Sequence, residues 1–148
     1  MEQFSLRMEY PRRVLALDLG RKRIGLALSD ELGITAQGLP TLQRTTIRAD
    51  LRYLFELIQQ KDVAMVLLGL PLHLSGSEGR QAAWVREFGE RLNAETGVPV
   101  QYWDERLTTV EANRVLKESG ISLQKRIRAV DKLSAVILLE SYLAGYPS

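Results

Sequence analysis

Hydrophobic positions divide the chain into strand-like and helix-like stretches. Val14 to Leu19 is an apolar run broken only by Asp18. Such continuity marks a strand covered on both faces of a sheet, at about 13–19. A second strand, at about 23–30, follows Gly20, Arg21 and Lys22 closely enough for a hairpin. Residues 33–43 alternate weakly and contain Gly33, Gly38 and Pro40, which predicts a third strand with an irregular start. Thr45 or Thr46 then caps a helix to about Lys61, with Leu51, Leu54, Phe55 and Ile58 on one face. Val63 to Gly69 is continuously apolar and predicts a central parallel strand that Pro71 stops.

The second half repeats the alternation. A Gly/Ser-rich loop spans 72–79, and a helix runs from about Glu78 to Thr96 with Ala82, Val85, Phe88, Gly89 and Leu92 inward; Gly97 ends it. Pro99 to Trp103 reads as a strand leading into Asp104, Glu105 and Arg106. Thr108 and Glu111 have the spacing of a capping box, predicting a helix that closes at Ser119-Gly120. Residues 121–130 read as a basic connector. A last helix starts near Val130, puts Asp131 in its first turn, and is apolar nearly all round, which predicts deep burial.

Hairpins first and helical crossovers later give an α/β fold. The prediction is a mixed five-stranded sheet, antiparallel in its first three strands and parallel in its additions, with helices on both faces. Sites in such sheets gather beyond the carboxyl ends of the parallel strands. Asp18, Asp104, Glu105 and Asp131 are the acids placed to converge there.

Length and composition then limit the chemistry. A chain of 148 residues with 45% hydrophobic and 26% charged residues suits a single domain, at 12–148, behind a polar lead-in at 1–11. No run is apolar enough to span a membrane and the first residues do not read as a signal peptide, so the cytoplasm is the expected compartment. The absence of cysteine excludes disulfides, thiolate zinc sites and a cysteine nucleophile. The single histidine, His73, falls in a loop and reads as an exposed loop residue. Net charge is only +2, but cations cluster beside the acids. Arg21, Lys22 and Arg23 follow Asp18, while Lys125, Arg126 and Arg128 precede Asp131. These are either solvated turns or a phosphate-facing surface.

Carboxylates beside cations fit a hard metal ion acting on phosphate. Each acid also has a plainer reading. Asp18 could pair with an arginine in the core, Asp104 or Glu105 could cap a strand end beside Arg106, and Asp131 could complement a helix N-terminus. Adjacent strand residues face opposite ways, so only one of Asp104 and Glu105 belongs at a shared site.

The segments LALDLGRKRIGLALSD, VLLGLPLHLSGSEG, YWDERLTT and VDKLSAVILLESYL, in this order, resemble the YqgF/RuvX family over roughly residues 12–146. That family belongs to the RNase H-like superfamily and is akin to the RuvC Holliday junction resolvases. Its members are described as resolvases and as nucleases that mature the 5′ end of pre-16S rRNA. The resemblance implies an RNase H-like fold and a magnesium- or manganese-dependent two-metal nuclease. It implies Asp18, Glu105 and Asp131 as catalytic, metal-binding acids, and so Glu105 rather than Asp104 inward. It also implies Gly69-Leu70-Pro71 as a wall of the site and Thr108-Thr109 as support for the turn at 104–106. His73 stands where the family more often has Asn.

The expected function is therefore hydrolysis of phosphodiesters in structured nucleic acid, with rRNA precursor as substrate and ribosomal particles as partners. Arg21, Lys22, Arg23, Arg106, Lys125, Arg126 and Arg128 would hold backbone phosphates. Cleavage of branched DNA keeps the same chemistry. A non-catalytic nucleic-acid-binding factor in ribosome assembly is the alternative from another class. An actin-like ATPase would need a second lobe that 148 residues do not supply.

Overall fold

The computed structural model describes residues 13–73, 75–106, 118 and 123–144, except for the side chains of 123–132. Five strands form one sheet: β1 (Arg13–Leu19), β2 (Arg23–Ser29), β3 (Ala36–Gln43), β4 (Val63–Leu70) and β5 (Val100–Asp104). Their order is β3-β2-β1-β4-β5. The pairs β1–β2 and β2–β3 are antiparallel, and β1–β4 and β4–β5 are parallel. The antiparallel strands need only short turns, whereas each parallel addition needs a crossover. Helix α1 (Ile47–Gln60) supplies the first and α2 (Arg80–Thr96) the second. Thr46 caps α1 through a hydrogen bond from the Ala49 N–H to its Oγ1 at 3.1 Å. The mixed five-stranded sheet read from the sequence is the sheet observed.

Strand alternation sorts the side chains into two cores. Leu15, Leu17 and Leu19 of β1 join Ile24, Leu26 and Leu28 of β2 against Leu51, Leu54 and Ile58 of α1 and Val85, Phe88 and Leu92 of α2. On the opposite face, Val14, Ala16, Ala27 and Leu67 meet Ala135, Leu138 and Leu139 of α3 (Leu123–Ala144). This is why β1 reads as unbroken apolar sequence: both of its faces are covered. The small side chains of Ala16, Ala27 and Ala135 let α3 lie close to the sheet. By parity Asp18 belongs to the α3 face.

The C-terminal region corrects two expectations. The stretch 121–130 is not a connector ahead of the last helix, because α3 already begins at Leu123. Lys125, Arg126 and Arg128 thus occupy its first two turns. Asp131 is not in the first turn but two turns into the helix, where a helix-dipole role is lost. Lys, Arg and Gln are good helix formers, so basic content did not mark a loop. Helix α3 is also less enclosed than its composition suggested. Ala135, Leu138 and Leu139 are fully buried, while Val136 and Ile137 are half-buried because the sheet covers one side only. The helix expected at 108–119 lies outside the described residues except for Glu118, which is helical.

Candidate active site

The carboxyl ends of β1, β4 and β5 bring two acids together. Asp18 stands on β1 opposite Gly25 of β2, a partner with no side chain to fill the space beside it. Glu105 follows β5 directly, and its N–H donates to the Leu70 carbonyl at 3.2 Å, continuing the β4–β5 ladder by one residue. Alternation along β5 then fixes the directions. Tyr102 turns to the α1/α2 face, where its hydroxyl donates to the Arg86 carbonyl at 3.2 Å. Trp103 turns to the α3 face, edge-on to Tyr142 with ring centroids 5.3 Å apart. Glu105 therefore shares the α3 face with Asp18, close enough for each carboxyl group to act on the other.

Gly69 of β4 makes the space for this contact. A Cβ at that position would lie 2.6 Å from Glu105 Oε2 and 3.2 Å from Leu138 Cδ2. Any side chain there would push the carboxylate out or lift α3 from the sheet. Gly69 is thus part of the wall of the site.

The electrostatics of Asp104 and Glu105 diverge. Burial pushes the Glu105 carboxyl up to about 8, and the charge and hydrogen bond of Asp18 add to the effect. Asp104 is held below its usual range by Arg106, whose Nε and Nη2 donate to its Oδ2 at 2.9 and 2.6 Å. The Arg106 N–H also donates to Asp104 Oδ1 at 3.0 Å. Asp104 closes its own turn, while Glu105 is pressed against another acid. Two carboxyl groups in contact need either a shared proton or a cation. An all-oxygen pair at a strand edge fits a hard divalent cation such as magnesium or manganese. The described residues contain no cluster of three or more metal-ligating side chains.

Asp131 can be placed by its backbone alone. The sheet-facing stripe of α3 contains Ala135, Leu138 and Leu139. Position 131 continues that stripe one turn earlier. Helix α3 runs antiparallel to β4, because Leu138 lies by Gly69 whereas Tyr142 donates to Met65 Sδ at 3.8 Å. Going back from Leu138 toward position 131 therefore leads to the strand ends that carry Asp18 and Glu105.

The expected phosphate contacts are spread more widely. Arg21 and Lys22 are exposed in the β1–β2 turn and Arg23 opens β2. Arg106 gives its guanidinium to Asp104 rather than projecting alone. Lys125, Arg126 and Arg128 lie on α3 with their side chains outside the described residues. Thr108 and Thr109 lie outside the described residues altogether. His73 is exposed, as expected, and its ring lies over Gly79 at the start of α2.

One hub went unread. Arg44 Nε donates to Asp50 Oδ2 at 3.0 Å, Arg44 Nη1 donates to the Gly20 carbonyl at 3.0 Å, and the Arg44 N–H donates to the Lys22 carbonyl at 2.9 Å. Its guanidinium also lies 5.3 Å from the Trp84 ring centroid and 5.6 Å from that of Phe88. This single side chain ties the basic turn after Asp18 to α1 and α2. The turn is tight: the Gly20 N–H donates to the Arg23 carbonyl at 2.9 Å, and a Cβ on Gly20 would lie 2.7 Å from that oxygen. The available signal was Asp50, a carboxylate one helical turn before Leu54 on the apolar stripe of α1.

Known proteins are similar in both sequence and shape. A curated relative from Koribacter versatilis, named "Putative pre-16S rRNA nuclease", is 53% identical over 131 residues, covering 88% of this chain and 86% of its own. One from Moorella thermoacetica with the same name is 48% identical, covering 88% and 94%. Among solved structures, T. thermophilus RuvC in complex with Holliday junction substrate superposes with a TM-score of 0.53 at 13% identity, covering 86% of this chain and 91% of that one. The large terminase nuclease from thermophilic phage G20c gives 0.54 at 12% identity, covering 91% and 83%. The sheet and helices are those of the RuvC-like, RNase H-like fold. The family model described as "RuvX: Holliday junction resolvase" matches residues 12–145, and the chain belongs to that family.

Proposed function

We propose that this protein is a divalent-metal-dependent endonuclease that hydrolyses phosphodiester bonds in structured RNA, with the 5′ end of pre-16S rRNA as its target. The contact between Asp18 and Glu105 over Gly69 carries this reading, and the name shared by the curated relatives supports the substrate. Asp18 and Glu105 would hold magnesium or manganese, with Asp131 as a third acid. The bound cation would make a water nucleophilic at neutral pH and offset charge on the phosphate. Gly69 and the Leu70 carbonyl keep Glu105 in register, and Arg44 fixes the turn that follows Asp18. Arg21 and Lys22 lie exposed on that turn, where they would neutralise the incoming backbone. This task places the protein in the cytoplasm beside assembling ribosomal particles.

Branched DNA is the second reading, favoured by the description of the family model. Labelled rRNA precursor and a four-way DNA junction, incubated side by side with magnesium and with excess EDTA, separate the two. We expect cleavage of the RNA, abolished by EDTA while the circular dichroism spectrum is unchanged. Full activity in EDTA would end the metal-dependent reading. Preferential cleavage of the junction would reverse the substrate order. Tight binding of RNA without cleavage under any metal would identify a non-catalytic assembly factor.

A further inference from the structure

A cleft of about 360 Å³ opens between the β1–β2 turn and α2, lined by Arg21 of the turn and by Arg80, Gln81 and Trp84 of the helix. Its size falls within the range of small-ligand sites, about 300–1,000 Å³. A narrower cavity of about 80 Å³ shares Arg21, Gln81 and Trp84 with it and continues past Pro71 to Glu105. The three shared residues set the cleft next to the cavity that Glu105 helps to line.

The lining has an uncommon composition for a surface groove. Trp84 is half-buried, and its ring is steadied by the Arg44 guanidinium, itself held by Asp50 and the Gly20 carbonyl. An aromatic wall fixed in this way loses little freedom when something stacks on it. Arg21, Arg80 and Gln81 are exposed, and no ion pair or hydrogen bond engages their side chains among the described residues. An aromatic face, an amide and two unengaged cations are the groups that bind an unpaired nucleotide. The ring stacks on the base, the amide meets its edge, and the cations take the flanking phosphates. A simple ion or an apolar peptide would leave part of this set unused.

Resting on the nuclease reading above, we propose that the cleft takes an unpaired nucleobase next to the scissile phosphate. Trp84 is its stacking platform, and Gln81, Arg21 and Arg80 are its polar contacts. The enzyme would thus select a single-stranded nucleotide at the cut site, rather than a continuous duplex.

The test needs binding and not cleavage. Trp84 and Trp103 are the only tryptophans. Fluorescence of Trp103→Phe, titrated in EDTA with hexa-adenylate RNA and with an abasic hexamer of equal charge, reports on Trp84 directly. The difference between wild type and Trp84→Phe provides the same signal should Trp103→Phe fold poorly. Hexa-adenylate should quench Trp84 saturably and bind roughly 5- to 150-fold more tightly than the abasic hexamer. In filter binding of 5′-labelled hexamers, which needs no tryptophan, Trp84→Phe should keep most of that preference and Trp84→Ala should lose it. Equal affinity for the two hexamers, or an unquenched Trp84, overturns the proposal even if the enzyme cuts RNA. Quenching with the predicted preference in a protein that cuts nothing would keep the subsite and remove the nuclease reading.

Discussion

Two carboxylate clusters flank the β1–β2 turn, and they are built in opposite ways. Asp50 is 2% exposed and receives Arg44 Nε at 3.0 Å and the Thr45 N–H at 3.2 Å. A base and an amide meet its charge, and the cluster joins three elements. Glu105 is also largely buried, but its carboxyl meets another acid, Asp18, in a space that Gly69 holds open. The first arrangement lowers the energy of the fold. The second leaves two acids that need a shared proton or a cation between them. Burial of a carboxylate therefore does not distinguish structure from function. The sign of its neighbour does.

Neutralising the acid pair should break the comparison most sharply. On the proposed reading, Asp18→Asn and Glu105→Gln remove charge that the metal needs. Cleavage should fall by orders of magnitude in each, while thermal stability stays level or rises because two acids no longer face each other. Asp104→Asn should only weaken cleavage, since its carboxylate serves Arg106 and the turn. Near-normal turnover by Asp18→Asn would move the active site elsewhere. A greater loss in Asp104→Asn than in Glu105→Gln would reverse the inward assignment.

The same operation on the other cluster should act on stability instead. Arg44→Ala leaves Asp50 buried without its base and frees the Gly20 carbonyl. Breaking one partner of such a pair costs about 3–5 kcal/mol. Denaturant unfolding should show that loss, and Arg44→Ala with Asp50→Leu should recover part of it. An Arg44→Ala protein of wild-type stability would show that the hub only decorates the turn.

These two clusters also differ in how far they could be read from sequence. Asp18 stood out because a carboxylate interrupts an apolar run, and because Gly20 and three cations follow it. Glu105 was harder, since alternation alone allows either member of the Asp104–Glu105 pair inward until the strand register is known. The family resemblance, not the residue pattern, supplied the choice that the register now agrees with. For Arg44 the pattern offered only its partner, Asp50, on the apolar stripe of α1. The partners of Arg44 lie on the β1–β2 turn, α1 and α2, and only the folded chain brings Gly20, Asp50, Trp84 and Phe88 around one guanidinium. The sheet was legible because β4 is covered on both faces and reads as one apolar run. The start of α3 was not, because Gln124, Lys125, Arg126 and Arg128 suit a helix as well as a loop.

Gly69 offers a finer cut between the clusters, because it touches the acid pair and leaves Asp50 alone. In Gly69→Ala the new methyl would sit 2.6 Å from Glu105 Oε2, so the carboxylate must move. Displacing a catalytic group by about 1 Å costs roughly 10²-fold in rate. We expect a loss of that order in cleavage, with a smaller change in unfolding free energy than Arg44→Ala gives. Unaltered cleavage by a folded Gly69→Ala protein would mean that Glu105 has room to spare and that its fixed position is unimportant.

The gentlest probe is pH, and it reads the two neighbours of Glu105 without changing any atom. In the metal-free protein the Glu105 carboxyl rises from an ordinary 4.5 to about 8, chiefly through burial and then through Asp18. Between those values the folded chain holds a proton that the unfolded chain has released. Stability is therefore fully present below about 4.5 and declines as pH rises toward 8, by at most about 1.4 kcal/mol per pH unit for one proton. Asp104, held low by Arg106, has the opposite sign, but it is exposed to solvent and adds little. Thermal melts of metal-free protein from pH 5 to 8 should thus show a falling melting temperature. Glu105→Gln should flatten the trend, because it removes the titrating group. Added magnesium should flatten it too, since a cation bound by the two carboxylates competes with the shared proton. A melting temperature that rises with pH in the metal-free wild type would mean that Asp18 and Glu105 are both charged and already stabilised by something other than a proton, and the contrast with Asp50 would collapse.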